Sequence, residues 1–293
     1  MSAPAEGQTG PLKTVQVLFC LYPNFNTLDV CGPLEVLGHA RHDPKNAAST
    51  AFKCRFAAAS EHTVSAQGAS FRAHMDYDDA IEDIDEFDIL VVPGGDYEEV
   101  LKSNGQPLGL IKAFIDLQKK DPSRERTLMT TSTGSFFLAQ QGALQGLAAT
   151  THPDHYTKFE IVCQEAARRG DLEQTDVMEE RYVVNNARFE LGENEEENPF
   201  IFRKRPAPLQ GRKSSGRKGS FAFQEATRRE SVLRRANLKL SGLRVITAGG
   251  ISAGLDAALY LVGAMVSHES AEEVARVMQY QWNKGVTVDG LDV

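Results

Sequence analysis

The feature that most constrains this chain is a repeated alternation, in which short and largely apolar runs end in small or turn-forming residues and stretches with helical spacing follow them. The runs are Thr14 to Leu21, Ala51 to Ala58, Asp88 to Val92, Thr127 to Thr131, Leu147 to Thr151 and Leu243 to Thr247. A strand covered by helices on both faces buries both rows of side chains, so it reads as a continuous apolar run rather than an alternating one. Leu108 to Lys119 carries apolar residues at Leu108, Leu110, Ile111, Phe114, Ile115 and Leu117 and ends in lysines, which suit the negative end of a helix. Pro33 to Arg41 reads as a helix opened by proline at its first turn, and Gly134 to Gln141 as a helix that Gly142 ends. Further helices are expected from Asp154 to Arg169, Ala253 to Val266 and Ser270 to Trp282. The last would open with a capping box, Ser270 with Glu273, and close the chain. This order predicts an α/β fold, a mostly parallel sheet with helices on both faces, in a single domain spanning residues 1–293.

Composition narrows the function. The formal net charge of −8 argues against a general affinity for nucleic acid. The four cysteines show no zinc-site spacing, and Cys20 and Cys31 sit in apolar surroundings, as small buried hydrophobes in a reducing compartment would. Met1 to Pro11 lacks the apolar core of a signal peptide, and Leu255 to Val266 is too short to span a bilayer. The expectation is a soluble cytoplasmic protein with a flexible tail over residues 1–12, no membrane contact, no cofactor and no metal.

The pattern breaks between Asn185 and Leu240. An acidic run, Glu190 to Glu197, precedes a stretch from Arg203 to Arg235 with eleven Lys/Arg against two Glu, which leaves the rest of the chain near −17. Residues 190–240 read as a charged surface insertion, in which Phe221 to Arg235 could form a helix. Ser220 and Ser231 follow basic residues as basophilic kinase sites do. The plainer reading is a solvated loop drawn to the acidic body of the same chain.

The strongest local signal for chemistry is the junction Thr131-Ser132-Thr133-Gly134-Ser135. A strand running straight into a helix places the Ser132 side chain on a sharp corner beside free backbone N–H groups, the geometry of a nucleophile elbow. The commoner use of such a junction is a turn whose Ser or Thr caps the helix. Pro93-Gly94-Gly95 ends another run, where glycine lets backbone amides approach a ligand. Asp29, in an apolar context after the first run, either caps a helix or transfers protons with a pKa tuned by burial. All three fall at carboxyl ends of neighbouring strands, where open α/β sheets bind ligands. His152 and His155, three apart, could share a helical face as metal ligands, although one site histidine and one surface histidine is the simpler account.

These segments resemble the ThiJ/PfpI superfamily, the class I glutamine-amidotransferase-like proteins. Leu28 to Val36 is similar to its LDxxGPxEV segment and Asp88 to Gly95 to its third-strand motif. Thr131 to Ser135, Gly142 to Gly146 and Ala149 to Pro153 resemble its elbow, following helix and histidine segment. Thr247 to Asp256 resembles the TxxGxxxGxD segment of the isonitrile-hydratase-like branch. The resemblance implies a flavodoxin-like sandwich, commonly a homodimer, acting on a small molecule. It places Ser132 at the nucleophile position, Asp29 as the carboxyl group that shares its proton, the N–H groups of Gly95 and Thr133 as the oxyanion pair, and His152 beside the nucleophile. In that branch a thiolate adds to the terminal carbon of an isonitrile, the carboxyl group protonates it, and water releases an N-substituted formamide.

The departure is Ser132, where relatives carry cysteine. A helix N-terminus can make a thiol largely thiolate near neutral pH, whereas a serine hydroxyl is far more basic and needs a general base. Three readings stand: an inactivating replacement of the cysteine, a non-catalytic ligand-binding or regulatory protein on the same fold, or a serine nucleophile served by His152. Glyoxalase- or deglycase-like carbonyl chemistry ranks behind isonitrile hydration, because those branches generally place glutamate where this chain has Asp29.

Overall fold

The structure, a computed structural model, describes residues 13–170, 173–186, 201–203 and 239–288. The 1–12 tail, almost all of the 190–240 insertion, the 221–235 helix and the sites at Ser220 and Ser231 lie outside the described residues. The first half runs β1 (Val15–Leu21), α1 (Thr27–His39), β2 (Phe52–Ala58), β3 (His62–Val64), β4 (Ser70–Arg72), α2 (Tyr77–Glu82), β5 (Ile89–Val92), α3 (Tyr97–Ser103), α4 (Leu108–Lys120), β6 (Thr127–Thr131) and α5 (Ser135–Gln140). The second half runs β7 (Ala148–Ala149), α6 (Tyr156–Gly170), β8 (Asp176–Val177), β9 (Tyr182–Asn185), β10 (Ile201–Arg203), β11 (Arg244–Ala248), α7 (Ala253–Met265), α8 (His268–Val277) and β12 (Gly285–Val288).

An eight-stranded sheet with the order β10-β12-β9-β11-β6-β5-β1-β2 forms the centre. Every neighbouring pair is parallel except β9 with β11. The apolar runs fold as strands because both of their faces are covered: β5, β6 and β11 are buried at every residue, and β1 at all but Gln16. Helices α1, α7 and α8 pack on one another as one group, and α5 packs on α3 and α6 as another. This is the mostly parallel α/β arrangement that the alternation predicts, in the flavodoxin-like form that the resemblance implies. The sheet grows from β1 outward to β2 and then back past β1 to β5, so its topological switch point lies between β1 and β5.

Several expectations need correction. Pro33 does not open α1 but lies in its interior, because the helix already begins at Thr27. The expected capping box at Ser270 is displaced one turn: Ser267 is the cap and accepts from the Ser270 N–H, while the Ser270 hydroxyl donates to the carbonyl of Arg41 at 2.8 Å. Leu147 to Thr151 contributes only β7, which pairs with β8 in a separate small ladder. Helix α8 ends at Val277, and β12, not a helix, follows it into the sheet beside β9. Cys20 is buried as expected, but Cys31 is only half-buried on α1. No helix among the described residues is long and apolar enough to cross a membrane.

Candidate active site

The candidate site forms where the carboxyl ends of β1, β5 and β6 meet. Two cross-links first fix the approach of the loops. The Tyr22 hydroxyl donates to the carbonyl of Pro93 at 3.0 Å, and the Asn26 N–H donates to the carbonyl of Gly94 at 2.8 Å. Gly95 has φ 144°, and a Cβ there would stand 2.4 Å from the carbonyl oxygen of Asn24, so the close approach of these loops demands glycine.

Ser132 follows β6 directly, with φ 51° in the left-handed region that a serine seldom occupies. Such backbone strain costs on the order of 1–3 kcal/mol and persists only where surroundings enforce it. Here they do. A Cβ on Gly134 would lie 2.4 Å from the carbonyl oxygen of Val92, so the turn is pressed against the end of β5. The Ser132 carbonyl accepts hydrogen bonds from the hydroxyls of Thr151 (3.2 Å) and Ser135 (3.4 Å). The junction is therefore a strained elbow rather than a relaxed capping turn, and no side chain caps α5.

Asp29 lies on the first turn of α1 and is wholly buried. Its Oδ2 accepts from the Gly94 N–H at 3.0 Å and from Asn26 Nδ2 at 3.3 Å, while Oδ1 is buried with no hydrogen-bond partner. Burial raises the carboxyl pKa to about 7, and the two hydrogen bonds only partly offset it. A Cβ on Gly94 would meet the Thr133 nitrogen at 2.7 Å, Asp29 Oδ2 at 2.8 Å and the Ser132 Cβ at 2.8 Å. The elbow side chain, the Asp29 carboxyl group and an elbow amide thus crowd in on Gly94, which leaves no room for a side chain.

The sequence-predicted pair of amides is arranged differently. The Gly95 N–H donates to Thr133 Oγ1 at 3.0 Å, and that hydroxyl donates back to the Gly95 carbonyl at 3.2 Å. A ligand atom that takes up the Gly95 N–H displaces the Thr133 hydroxyl. His152 follows Thr151 and so roots beside the elbow, but its Nδ1 accepts from the Asp154 N–H at 3.3 Å. Asp154 Oδ2 is also 3.8 Å from that nitrogen, yet its side chain is 85% exposed. The backbone donor fixes Nδ1 as the acceptor, so the neutral ring carries its proton on Nε2 and presents a donor there. The arrangement is the reverse of a Ser-His-Asp triad, which needs the carboxylate on Nδ1–H and a lone pair on Nε2.

In the sequence, Asn26 is assigned no role, and Gly94 and Thr131 are marked only as parts of their turns. Gly94, not Gly95, holds Asp29, and the spacing of Asn26 from Asp29 within Asn26-Thr27-Leu28-Asp29 was an available signal. Thr131 donates its hydroxyl to the Asp29 carbonyl at 3.4 Å. Glu35 is solvent-exposed and pairs with His39 at 3.0 Å.

No curated protein matches the chain significantly in sequence. A ThiJ/PfpI family protein from Pseudomonas syringae shares the fold with TM-score 0.54 at 16% identity, over 95% of this chain and 83% of that one. A protein described as an AraC family transcriptional regulator from Pseudomonas putida gives TM-score 0.54 at 14% identity, over 90% of this chain and 99% of that one. DJ-1beta from Drosophila melanogaster gives TM-score 0.52 at 14% identity, over 92% of this chain and all of that one. At these identities the similarity speaks to fold alone. The sequence itself carries the assignment, since residues 15–187, more than half of the chain and the whole of the site built from β1, β5 and β6, match the profile of the DJ-1/PfpI family. The chain belongs to the DJ-1/PfpI family.

Proposed function

We propose that this chain carries an isonitrile-hydratase-like site for a small electrophilic carbon compound, with Ser132 standing in the nucleophile position. The observation that carries this reading is Asp29, a buried carboxyl group with a pKa of about 7 and an unpartnered Oδ1, held against the elbow by Gly94. Such a group is half-protonated near neutral pH and can deliver a proton to a carbon that a neighbouring nucleophile has just attacked. Ser132 is 1% exposed, which favours a slender reactive end such as –N≡C over a branched carbonyl.

The steps balance as follows. A cysteine thiolate at position 132 would add to the terminal carbon of R–N≡C, and the Asp29 carboxyl would protonate that carbon to give R–N=CH–S–enzyme. Water then adds to the same carbon, the nitrogen takes a proton, and the sulfur leaves, giving R–NH–CHO. With Ser132 the first step lacks a base among the described residues that surround the elbow. Asp29 is far too weak for an alcohol, and the His152 tautomer presents a proton rather than a lone pair.

That absence of a base also favours a second reading, a ligand-binding or regulatory protein that holds the same molecule without turnover. The fold similarity to the Pseudomonas putida regulator is in keeping with it. Deglycase-like chemistry on carbonyls is the third, and ranks lower with aspartate at position 29.

The discriminating experiment assays the chain as it stands and its Ser132→Cys variant on alkyl and aryl isonitriles and on methylglyoxal. The expected outcome is isonitrile binding by both and formamide release by the cysteine form alone. Binding by both with turnover by neither would establish the regulatory reading, and consumption of methylglyoxal in preference to isonitriles would overturn the proposal.

A further inference from the structure

A connected row of rings joins the two loops that flank the elbow. Tyr97 begins α3, with its N–H on the Gly95 carbonyl at 3.0 Å. It stacks on Phe136 with centroids 4.3 Å apart and planes at 24°. His155 meets Tyr97 edge to face at 6.0 Å and Phe136 at 6.1 Å, and His152 meets His155 at 5.8 Å. One end of the row is rooted at Gly95, which Thr133 clasps; the other follows Thr151, whose hydroxyl holds the Ser132 carbonyl. The row therefore spans the elbow from one flanking loop to the other.

Lys158 Nζ stands 5.3 Å from the centroid of the Tyr97 ring, so the part of the row open to a ligand is its pair of imidazoles. Tyr97 and Phe136 are buried, whereas His152 and His155 are half-exposed. Burial, with the neighbouring His152 and Lys158, lowers the His155 imidazole from the ordinary histidine range and so favours its uncharged form. The nearby charges are matched, with Lys158 on Glu98 at 2.5 Å. Ser132 and Asp29 are almost completely enclosed, so a ligand's reactive end must enter alone and leave its substituent among the residues that flank the elbow.

We infer that the imidazoles of His155 and His152, backed by Tyr97 and Phe136, are the wall against which the substrate's substituent lies, and that His155 is a specificity-determining residue selecting aryl groups. This rests on Ser132 marking the reactive position, but not on the reactive group being an isonitrile.

The test is calorimetric binding to the full chain of two matched pairs, benzyl against methyl isonitrile and phenylglyoxal against methylglyoxal. It is repeated with His155→Ala, with His155→Gln as a second ringless variant, and with His155→Phe, which restores a ring; thermal melting confirms that each is folded. Edge-to-face pairs predict that the aryl preference falls about three- to tenfold in the ringless variants and returns in His155→Phe. An aryl preference that is missing, or that survives loss of the ring, overturns the inference. If the isonitriles do not bind but the glyoxals show the His155-dependent preference, the isonitrile reading fails and the wall stands. If neither pair binds, both fail.

Discussion

The burial that raises the pKa of the Asp29 carboxyl group, on which the proposed chemistry rests, also leaves a mark on stability. Its pKa of about 7 in the folded state lies above the ordinary value of 3.8, so the folded chain keeps a proton that the unfolded chain releases. Stability conferred by the protonated form is complete below about pH 4, is lost as pH rises towards 7, and is constant above that. Asp29→Asn removes this titration. The variant should gain on the parent by about 2–3 kcal/mol between pH 5 and pH 8, whatever fixed cost the amide brings. Denaturant titrations at the two pH values would show it, and parallel changes in parent and variant would refute the assignment. On the proposed reading, isonitrile turnover in the Ser132→Cys background should fall as pH rises through about 7, which a pH–rate profile checks.

At the level of elements, α1 shows how a residue that seems misplaced ties two parts of the site together. Proline in a helix interior lacks the N–H that would bond four residues back, and for Pro33 the abandoned acceptor is the Asp29 carbonyl. The Thr131 hydroxyl, at the end of β6 and next to Ser132, donates to that carbonyl instead. Thr131→Val should therefore leave a buried carbonyl unpartnered and destabilise by about 1 kcal/mol. Pro33→Ala, which returns a helix N–H to the same oxygen, should rescue most of that loss, a coupling that a double-mutant cycle measures. Additive effects would mean that the 3.4 Å contact contributes nothing. This arrangement was hard to see in the sequence, where a proline just before an apolar helical pattern is ordinarily read as a first-turn residue. Ser132, Asp29 and Gly95 were legible because motif order brings them to strand ends. The partners of Asp29 were not, because hydrogen bonds from Gly94, Asn26 and Thr131 depend on how β1, β5 and β6 abut.

For the whole molecule, the five strands from β2 to β11 announce themselves as apolar runs, but the far side of the sheet does not. Tyr182–Asn185 stands beside the charged insertion, and Gly285–Val288 is a four-residue strand after a polar turn. Besides the β9–β11 ladder, this side is held to the rest by Asp256, fully buried in the first turn of α7. Its Oδ2 accepts from Arg181 Nε at 2.5 Å, just before β9, and from the Tyr280 hydroxyl at 3.1 Å; Oδ1 accepts from the Asn283 N–H at 2.8 Å, just before β12. Close packing completes the join, since a Cβ on Gly285 would meet the Tyr182 ring at 2.5 Å. One carboxylate thus ties α7 to the two strands that reverse the sheet. Replacing one partner of a buried ion pair costs about 3–5 kcal/mol, less here because Arg181 retains solvent contact. Asp256→Asn should therefore lower stability by about 2–3 kcal/mol and the melting temperature by roughly 5–10 °C. If the carboxylate acts as a clasp, hydrogen exchange at Val286 to Val288 must accelerate beyond the global loss, because local opening of β12 becomes easier. Unchanged relative protection there would reduce Asp256 to a local support of α7 and leave the attachment of β9 and β12 to packing around Tyr182.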